Sequence, residues 1–492
     1  MTTAPIRFTP SPAPLNDIEA DWLALGITKD GSLDPPVAAL DSRLGGEIAR
    51  LREVGDLTGK HLDLVPLVTV RGIRAHRLLL VGLGPTGGLS RATVHDAFAA
   101  ALRSITGRKF GRVALTIPTG LDPASAVLGA CVGAIQGSFG PGVRMSTPAR
   151  FCPDEFVVAG PKVTDSVLDR AHAEGDCLTI ARDLVNTPPG DKHPEAFARR
   201  ARELHSRVQC EVWDETRLER EGMQAILGVA RGSAKPPRLV ILRYQNAGDR
   251  PPLALVGKGV TFDSGGLSLK TNEQMVDMKS DMAGAAAVMA AIRAAAEMDL
   301  PVNLLGITPL VENMPGGAAL KLGDVLRGRN GKTIEVLNTD AEGRLILADA
   351  LAYAAEQRPS HIVDLATLTG ACMIALGTEI AGLMTNDTVW GEKVSAAALR
   401  AGERAWPLPM DPDFEDLLKS KVADLKNVGP NRYGGAIAAG KFLEQFVGGV
   451  SWVHLDIAGP AWAEHESAAR DTGGTGAFVR TLVELAATLE VP

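Results

Sequence analysis

The stretch "TIEVLNTDAEGRLILADALAYAAEQRPSHIVDLATLTG", residues 333–370, contains two kinds of hydrophobic pattern. Its ends, "TIEVLN" and "HIVDLATLT", are short apolar runs with β-branched residues, which predict buried strands. Its middle, "GRLILADALAYAAEQ", has helical spacing and predicts a helix. A strand, a helix and a second strand in this order are typical of a parallel sheet with helices on its faces.

The same alternation continues on both sides of this stretch. The runs "RLVILRY", "PLALVGKGVTF", "PVNLLGITPLV" and "WVHLDIAG" predict further strands, and "AGAAAVMAAIRAAAEM" predicts a further helix. Nearer the N-terminus, strands are expected at 77–84 and 112–118, with a helix over 91–105 capped by Ser90. The pattern predicts an α/β protein.

The length of 492 residues exceeds what a single hydrophobic core normally supports, which favours two domains. A helix is predicted from Val163 to about Val185, and the segment "NTPPGDKHP" then ends it with prolines and a glycine. We expect a smaller N-terminal α/β domain over 1–160, a linker helix region over 161–185, and a larger C-terminal α/β domain over 175–492. The C-terminal sheet should be mixed but mostly parallel, and flanked by helices.

The composition disfavours several classes of protein. Charged residues make up 22% of the chain and the formal net charge is −7, so no nucleic-acid partner is expected. The five cysteines are scattered without a CxxC pair, which disfavours a disulfide framework or a cysteine zinc site. Because neither a signal-peptide pattern nor a long apolar run is present, we expect a cytoplasmic protein with no membrane partner.

Glycines at 82, 84 and 87 follow a predicted strand with the G-x-G-x-x-G spacing of dinucleotide-binding loops. Such loops also need an acidic residue about 20 residues further on, and the segment "LRSITGRKFGR" has none. Pro85 also lacks the backbone donor that a phosphate would accept. A plain strand-to-helix turn is therefore the favoured interpretation.

A second set of polar residues lies in glycine-rich turns at predicted strand ends and helix starts. Its members are Lys258, Asp263, Lys270, Asp281, Asp340 and Glu342. Singly, the aspartates could cap helices, and the lysines could be solvated. Together they favour a metal site, because ligands of open α/β sheets bind at the carboxyl ends of the strands.

The ligand types restrict the chemistry of such a site. Carboxylates suit Mg²⁺ and Mn²⁺, and zinc also accepts them. Four carboxylates exceed the needs of one catalytic ion, whereas two ions with bridging carboxylates use all four. Either Lys270 or Arg344 could then stabilise a developing oxyanion.

The sequence resembles the leucyl aminopeptidase, or cytosol aminopeptidase, family of M17 metallopeptidases over roughly 175–485. The segments that carry the resemblance are "VGKGVTFDSGGLSLK", "MKSDMAGAA", "NTDAEGRL", "DLATLTGACMIALG", "ARDLVNTPP" and "WVHLDIAGPAW". The resemblance implies a leucyl aminopeptidase that removes N-terminal leucine and other apolar residues by attack of a metal-bridging hydroxide. It also implies a macro-like N-terminal domain and a homohexamer acting on peptides with a free N-terminus.

The resemblance further implies roles for individual residues. Two divalent ions per subunit, Mn²⁺ or Zn²⁺, would be bridged by Asp263 and Glu342. One ion would also bind Asp281 and a neutral Lys258 amine, and the other would bind Asp340. Lys270 would polarise the scissile carbonyl, and Arg344 would hold a bicarbonate that acts as general base.

A pocket for the first side chain would be formed by Met278, Thr367, Leu368, Gly370 and Ala458. The chain departs from the family in having Lys321-Leu322 where Arg-Pro is more common, and Ala461 where some members carry methionine. The alternatives left open are a two-metal phosphoesterase and a non-enzymatic relative with a different role.

Overall fold

The computed structural model describes residues 6–140 and 144–489. It divides into two compact units. The first contains residues up to 179 together with two later segments, 400–402 and 464–472, and the second contains the remainder. The prediction of two α/β domains is confirmed, whereas the return of the two later segments to the first unit was not predicted.

The first unit is built on one six-stranded sheet. Its strands are β1 (Phe8–Ser11), β2 (Trp22–Thr28), β3 (Leu64–Leu67), β4 (Leu78–Gly84), β5 (Arg112–Thr116) and β6 (Glu155–Ala159). Its helices are α1 (Pro35–Arg43), α2 (Glu47–Glu53), α3 (Arg91–Ile105), α4 (Pro123–Ser138) and α5 (Asp165–Asn186), the last of which continues into the second unit.

The strand order is β1-β6-β5-β2-β4-β3, and every pairing is parallel except that of β3 with β4. Helix α3 begins as predicted, with the Ser90 hydroxyl accepting a hydrogen bond from the Thr93 amide. The glycines at the end of β4 have a local explanation. A Cβ at Gly82 would lie 2.0 Å from the Lys60 carbonyl oxygen, and Gly84 has a φ of +84°.

The second unit contains most of the remaining elements. Its strands are β7 (Gln209–Trp213), β8 (Arg238–Gln245), β9 (Leu253–Gly257), β10 (Gly259–Asp263), β11 (Asn303–Asn313), β12 (Val325–Arg327), β13 (Thr333–Glu335), β14 (His361–Ala366), β15 (Ala381–Thr385), β16 (Ala405–Pro407), β17 (Leu425–Lys426), β18 (Trp452–Asp456), β19 (Trp462–Ala463) and β20 (Gly473–Gly474). Its helices are α6 (Pro194–Arg202), α7 (Glu215–Arg220), α8 (Gln224–Ala230), α9 (Asn272–Met275), α10 (Ala283–Glu297), α11 (Glu342–Glu356), α12 (Gly370–Leu376), α13 (Thr388–Ala401), α14 (Gly435–Glu444) and α15 (Val479–Thr488).

The main sheet has the order β16-β15-β18-β14-β9-β11-β8-β7, with β10 also paired to β11. Strands β18, β14, β9 and β11 are mutually parallel, and antiparallel pairings occur outside them, so the predicted mixed, mostly parallel sheet is confirmed. The run "TIEVLN" was expected in this sheet, and that expectation is wrong. Only 333–335 is a strand, and it pairs with β12 and β17 in a small separate sheet.

Strands β9 and β10 are two parts of one run that forks at Lys258. Both pair in parallel with β11, but only β9 also pairs with β14. At the fork the Lys258 amide donates to the Leu365 carbonyl (3.0 Å), and its carbonyl accepts from the Ala285 amide (2.9 Å). Beyond the fork, β10 pairs only with β11, so it is not paired with β14.

Helices cover both faces of the main sheet. A side chain at Gly306 would meet Val288 and Ile292 of α10, whereas the next residue, Ile307, packs in the core shared with α8, α11 and α14. Successive residues of a strand point to opposite faces, so α10 lies on one face and the other three helices on the other. No helix in the described part of the chain is long and apolar enough to cross a membrane.

Candidate metal centre

Polar residues gather where the parallel strands of the main sheet end. Lys258 follows β9, Asp263 ends β10, Asn313 ends β11, Thr367 follows β14 and Asp456 ends β18. Carboxyl ends of parallel strands meet at one edge of a sheet, which is where ligands of open α/β sheets bind. The fold therefore brings these five residues to one edge.

The structure brings all the predicted carboxylates to this edge. Oxygens of Asp263, Asp340 and Glu342 lie within 4.8 Å of one another. Asp281 joins them through Lys258, whose Nζ lies 2.6 Å from Asp281 Oδ1 and 2.9 Å from Glu342 Oε1. Asp263, Asp281 and Glu342 are buried.

Each lysine lies between a pair of these carboxylates. Lys258 also donates to the Thr367 carbonyl (2.9 Å), while Lys270 Nζ lies 2.9 Å from Asp263 Oδ2 and contacts Asp340. Burial opposes protonation of both lysines, but the neighbouring carboxylates outweigh it and raise the pKa of each. Both side chains are therefore ammonium groups in the metal-free arrangement, and neither is a solvated surface lysine.

The carboxylates carry more negative charge than the two ammonium groups compensate. Burial, together with the nearby Asp263 charge, raises the pKa of Asp281, Asp340 and Glu342, and the lysines only partly oppose this. The cluster thus favours any further cation that reaches it.

Two buried oxygens in the cluster show that a divalent cation suits it. Asp281 Oδ2 and Glu342 Oε2 have no hydrogen-bond partner among the described residues. A buried carboxylate oxygen without a partner costs free energy unless it is hydrogen-bonded or binds a cation. Several carboxylates with an adjacent amine form a donor set that suits Mn²⁺, Mg²⁺ or Zn²⁺.

The alternative in which the aspartates merely cap helices is wrong. The N-cap residue of α10 is Met282, and Asp281 instead ends the short 3-10 turn 278–280. The N-cap residue of α11 is Ala341, and Asp340 precedes it. Neither aspartate is the residue that caps its helix, so capping does not explain why they are there.

Close packing of α11 depends on a glycine in its first turn. A Cβ at Gly343 would lie 2.5 Å from Lys258 Cε and 2.7 Å from its Nζ, so any side chain there would displace the lysine. The opening of α11 therefore places Glu342 directly beside Lys258.

Arg344, two residues after Glu342 in the first turn of α11, is a buried cation. Its Nη1 donates to the Asn427 carbonyl (2.7 Å), and its Nε has no hydrogen-bond partner among the described residues. Burial lowers its pKa to about 10, although Glu342 and Asp456 attract the charge. The guanidinium therefore remains charged at neutral pH and has a free donor.

Of the predicted pocket residues, Thr367 contacts the cluster directly, and the others lie on neighbouring turns and loops of the chain. The Thr367 hydroxyl donates to Asp281 Oδ1 (2.8 Å). The amides of Leu368 and Ala458 both donate to Asp456 Oδ1 (3.2 Å each), which joins the loops after β14 and β18. Met278 lies in the 3-10 turn before Asp281, and Gly370 opens α12 on the loop that holds Thr367 and Leu368.

Sequence reasoning missed the side chains that hold the cluster in place. Asn313 Nδ2 donates to Asp263 Oδ1 (2.8 Å) and to the Thr339 carbonyl (2.9 Å). The Thr339 hydroxyl donates to the Gly265 carbonyl (2.7 Å). The one available signal was the position of Asn313, a polar residue at the carboxyl end of an apolar strand.

Models of one family match both parts of the chain. The cytosol aminopeptidase family, catalytic domain, matches residues 179–483, and the N-terminal domain of the same family matches residues 24–140.

Similar proteins extend these matches over nearly the whole chain. A probable cytosol aminopeptidase of Rhodopirellula baltica is 45% identical over 91% of this chain and 88% of its own length. One of Solibacter usitatus is 42% identical over 98% and 99%. Among solved structures, the bottromycin maturation enzyme BotP has a TM-score of 0.84 at 38% identity, covering 95% and 99% of the two chains. A tomato leucine aminopeptidase mutant has a TM-score of 0.89 at 34% identity, covering 99% and 98%.

The phosphoesterase alternative finds no support among these similarities. The family models and the relatives instead agree with the carboxylate and lysine cluster at the edge of the main sheet. This protein belongs to the cytosol aminopeptidase family, M17, a family of metal-dependent aminopeptidases.

Proposed function

We propose that this protein is a two-metal leucyl aminopeptidase that removes leucine and other apolar residues from the N-terminus of peptides. The observation that carries the proposal is the buried carboxylate cluster, in which Asp281 Oδ2 and Glu342 Oε2 have no hydrogen-bond partner among the described residues. One family neighbour, BotP, has a solved complex with Mn, which supports the choice of Mn²⁺ as the test metal.

The proposed metal ligands are Lys258, Asp263, Asp281, Asp340 and Glu342, with Asp263 and Glu342 shared between two ions. When bound, the ions would supply an activated water and would polarise the scissile carbonyl. Because Lys258 is an ammonium in the metal-free arrangement, it must lose its proton before its amine can bind an ion, and metal binding should therefore release a proton.

Lys270 is proposed to stabilise the oxyanion that develops on the carbonyl oxygen when the carbonyl carbon is attacked. Its side chain is only 13% exposed and lies next to Asp263 and Asp340, so its charge is held at the cluster. A fixed ammonium in a site of low dielectric constant stabilises a developing negative charge more strongly than water does.

Arg344 is proposed to hold a bicarbonate that takes the proton from the attacking water. The free Nε donor and the charged guanidinium support an anion at this position. A bound bicarbonate would leave the protein carboxylates free to remain metal ligands.

The leucine preference is proposed from the apolar pocket of Met278, Thr367, Leu368, Gly370 and Ala458. Ala461, which stands where some relatives carry methionine, is buried. We further propose a homohexamer in the cytosol, as the family resemblance and the relatives' name suggest. We also keep the division into domains at 1–160 and 175–492, with the linker helix region at 161–185, as a proposal.

The test compares leucine-p-nitroanilide with its N-acetylated form, each with chelator-treated protein and with added Mn²⁺. Hydrolysis of only the free-amine substrate, and only with Mn²⁺, is expected. Equal hydrolysis of both substrates would reject the exopeptidase assignment. Hydrolysis of p-nitrophenyl phosphate in place of both would instead support the phosphoesterase alternative.

A panel of aminoacyl-p-nitroanilides tests the leucine preference, and sedimentation tests the hexamer. Faster hydrolysis of the leucine and methionine substrates than of the charged ones is expected. An active monomer would contradict the assembly without affecting the assignment of the reaction.

A further inference from the structure

A buried asparagine beside the metal centre makes an unusually complete set of hydrogen bonds. Asn427 follows β17 and is fully buried. Its Oδ1 accepts from the amides of Leu337 (2.8 Å) and Asn338 (3.4 Å). Its Nδ2 donates to the carbonyls of Asn338 (2.7 Å) and Ala341 (3.5 Å). Both donors and both acceptor positions of the side-chain amide are thus used on one loop.

That loop, residues 337–341, connects β13 to α11 and contains Asp340. The parallel pairing of β13 with β17 brings Asn427 alongside it, and the Asn427 amide donates to the Glu335 carbonyl (2.9 Å). The backbone carbonyl of Asn427 accepts from Arg344 Nη1 (2.7 Å). Asn427 therefore contacts the loop before Asp340, the loop after it, and Arg344.

The opposite side of the loop is held by different contacts. Within the loop, Asn313 reaches only the Thr339 carbonyl, and the Thr339 hydroxyl donates to the Gly265 carbonyl. Thr339 also exchanges hydrogen bonds with Ser268, through its amide and its hydroxyl. None of these contacts reaches Ala341 or Arg344. Asn427 thus supplies the hydrogen bonds to Ala341 and Arg344 that the residues on the opposite side of the loop do not make.

We infer that Asn427 is a positioning residue for this enzyme: its side-chain amide fixes the 337–341 loop so that Asp340 and Glu342 meet Asp263, and its carbonyl orients Arg344. The inference rests on the proposed function for its catalytic consequence. Its structural part, the restraint on the loop, is independent of the reaction.

Asparagine is the side chain this position requires. Asn427→Asp keeps the two acceptors but removes both donors, so the Asn338 and Ala341 carbonyls lose their partner. It also adds a carboxylate where burial disfavours one. Asn427→Ala removes all four hydrogen bonds and leaves the backbone carbonyl that binds Arg344 in place.

The chain contains a matched control for these variants. Asn303 is also buried, and its Oδ1 accepts from the amides of Asn246 and Ala247 (2.9 Å each). Its Nδ2 donates to the carbonyls of Gly248 (2.9 Å) and Arg250 (2.8 Å). It clamps a loop as Asn427 does, but from the first residue of β11, about 33 Å along the strand from Asn313 at the metal-centre end.

The experiment compares full-length wild type with Asn427→Asp, Asn427→Ala, Asn303→Asp and Asn303→Ala. Hydrogen exchange of the chelator-treated proteins is expected to rise in peptides covering 337–344 only for the Asn427 variants. The Asn303 variants should change only peptides covering 246–250. Unchanged exchange over 337–344 in both Asn427 variants overturns the inference, whether or not the protein is an aminopeptidase.

The same proteins are then titrated with Mn²⁺ while leucine-amide hydrolysis is followed. Loss of a residue that supports metal ligands typically costs about 10–100-fold in metal affinity or activity. We expect the Asn427 variants to lose that much Mn²⁺ affinity and kcat with little change in KM, and the Asn303 variants to retain both. Equal losses in both sets would show that Asn427 supports stability alone and would overturn the positioning role. A wild type that neither binds Mn²⁺ nor cleaves the amide rejects the proposed function, and the exchange measurement still decides the loop restraint.

Discussion

A lysine and an aspartate lie at the carboxyl edge of each sheet, but the pKa of the aspartate is lowered at one edge and raised at the other. In the first sheet, Lys29 and Asp30 follow β2 and are exposed. The Asp30 carboxylate accepts from the Thr86 amide (2.7 Å), and this hydrogen bond lowers its pKa. In the second sheet, Lys258 follows β9 and pairs with the buried Asp281, whose pKa burial raises.

The first edge also offers space for a ligand. Asp30 lines a cavity of about 210 Å³ at the carboxyl ends of the parallel strands of the first sheet. What separates the two edges is desolvation, because only the second removes several carboxylates from water and leaves two of their oxygens without partners. Strand topology determines where a ligand site can form, and buried uncompensated charge distinguishes the edge that we propose as the catalytic one.

The largest expected effect is on kcat, when the charged lysine at the second edge, Lys270, is removed. Lys270→Ala should lower kcat about 10²–10³-fold, as loss of one oxyanion donor typically does, while both metals remain bound. Excess Mn²⁺ should give no rescue, since no ligand is lost. Leucine-amide hydrolysis and metal analysis of the purified variant measure both quantities. Full activity would show that the Lys270 charge takes no part in the reaction.

Lys258→Ala should lower metal content at one site, with affinity for Mn²⁺ reduced by at least about tenfold. Excess Mn²⁺ should partly restore the rate, because the carboxylate ligands remain. The control is Lys29→Ala, which also removes a lysine that follows a parallel strand and should change neither quantity. Two tightly held metals and an unchanged rate in Lys258→Ala would remove the residue from the ligand set.

Asp281→Asn should weaken one metal site without unfolding the protein, because Met282 and not Asp281 is the N-cap residue of α10. Asp30→Asn is the counterpart at the other edge and should leave metal content and rate unchanged. Circular dichroism and Mn²⁺ titration of both variants test this. The comparison between the edges fails if the two substitutions have equal effects.

The smallest expected effect is on stability as a function of pH. In the metal-free protein, the raised pKa values of Asp281 and Glu342 mean that the folded state keeps protons that the unfolded state has released. This stabilisation is present below the ordinary carboxylate pKa of about 4 and is lost as pH rises through the raised values. The free energy of unfolding of chelator-treated protein should therefore fall from about pH 5 to about pH 8.

Saturating Mn²⁺ should reduce or reverse that fall, because the ions replace the protons. Burial also raises the pKa of Asp349, to about 7, and gives the same sign. Asp349 lies among backbone amides of Ala225, Ile226 and Arg329, so its contribution should be equal with and without metal. Parallel curves with and without Mn²⁺ would contradict a role for the cluster in this pH dependence.

Local patterns were sufficient to predict most elements. The helix at 91–105 with its Ser90 cap and the helix at 283–297 follow from periodicity and capping chemistry. The predicted strand 252–262 was right in extent, but its break at Lys258 depends on hydrogen bonds to Leu365 and Ala285, which no local pattern contains.

Long-range contacts account for what was missed. Asp281 was open to interpretation as a helix cap because the 3-10 turn before it has no distinctive sequence. Asn427 lies in a loop about 90 residues from the one it holds, and without a resemblance or a structure an asparagine there is indistinguishable from any turn residue. Carboxylates and lysines in glycine-rich turns were found because their chemistry is visible at short range.

The fork at Lys258 also constrains how this gene can change in length. Side chains alternate between the faces of a strand, so one inserted or deleted codon between 253 and 257 would exchange the two faces of β9 and move the lysine off the fork. Substitutions within the strand lack this effect, and additions to the exposed loop at 246–250 leave the strand's alignment with β11 intact. Insertions and deletions should therefore be tolerated in that loop and eliminated within β9, a contrast that a library of single-codon insertions would reveal directly.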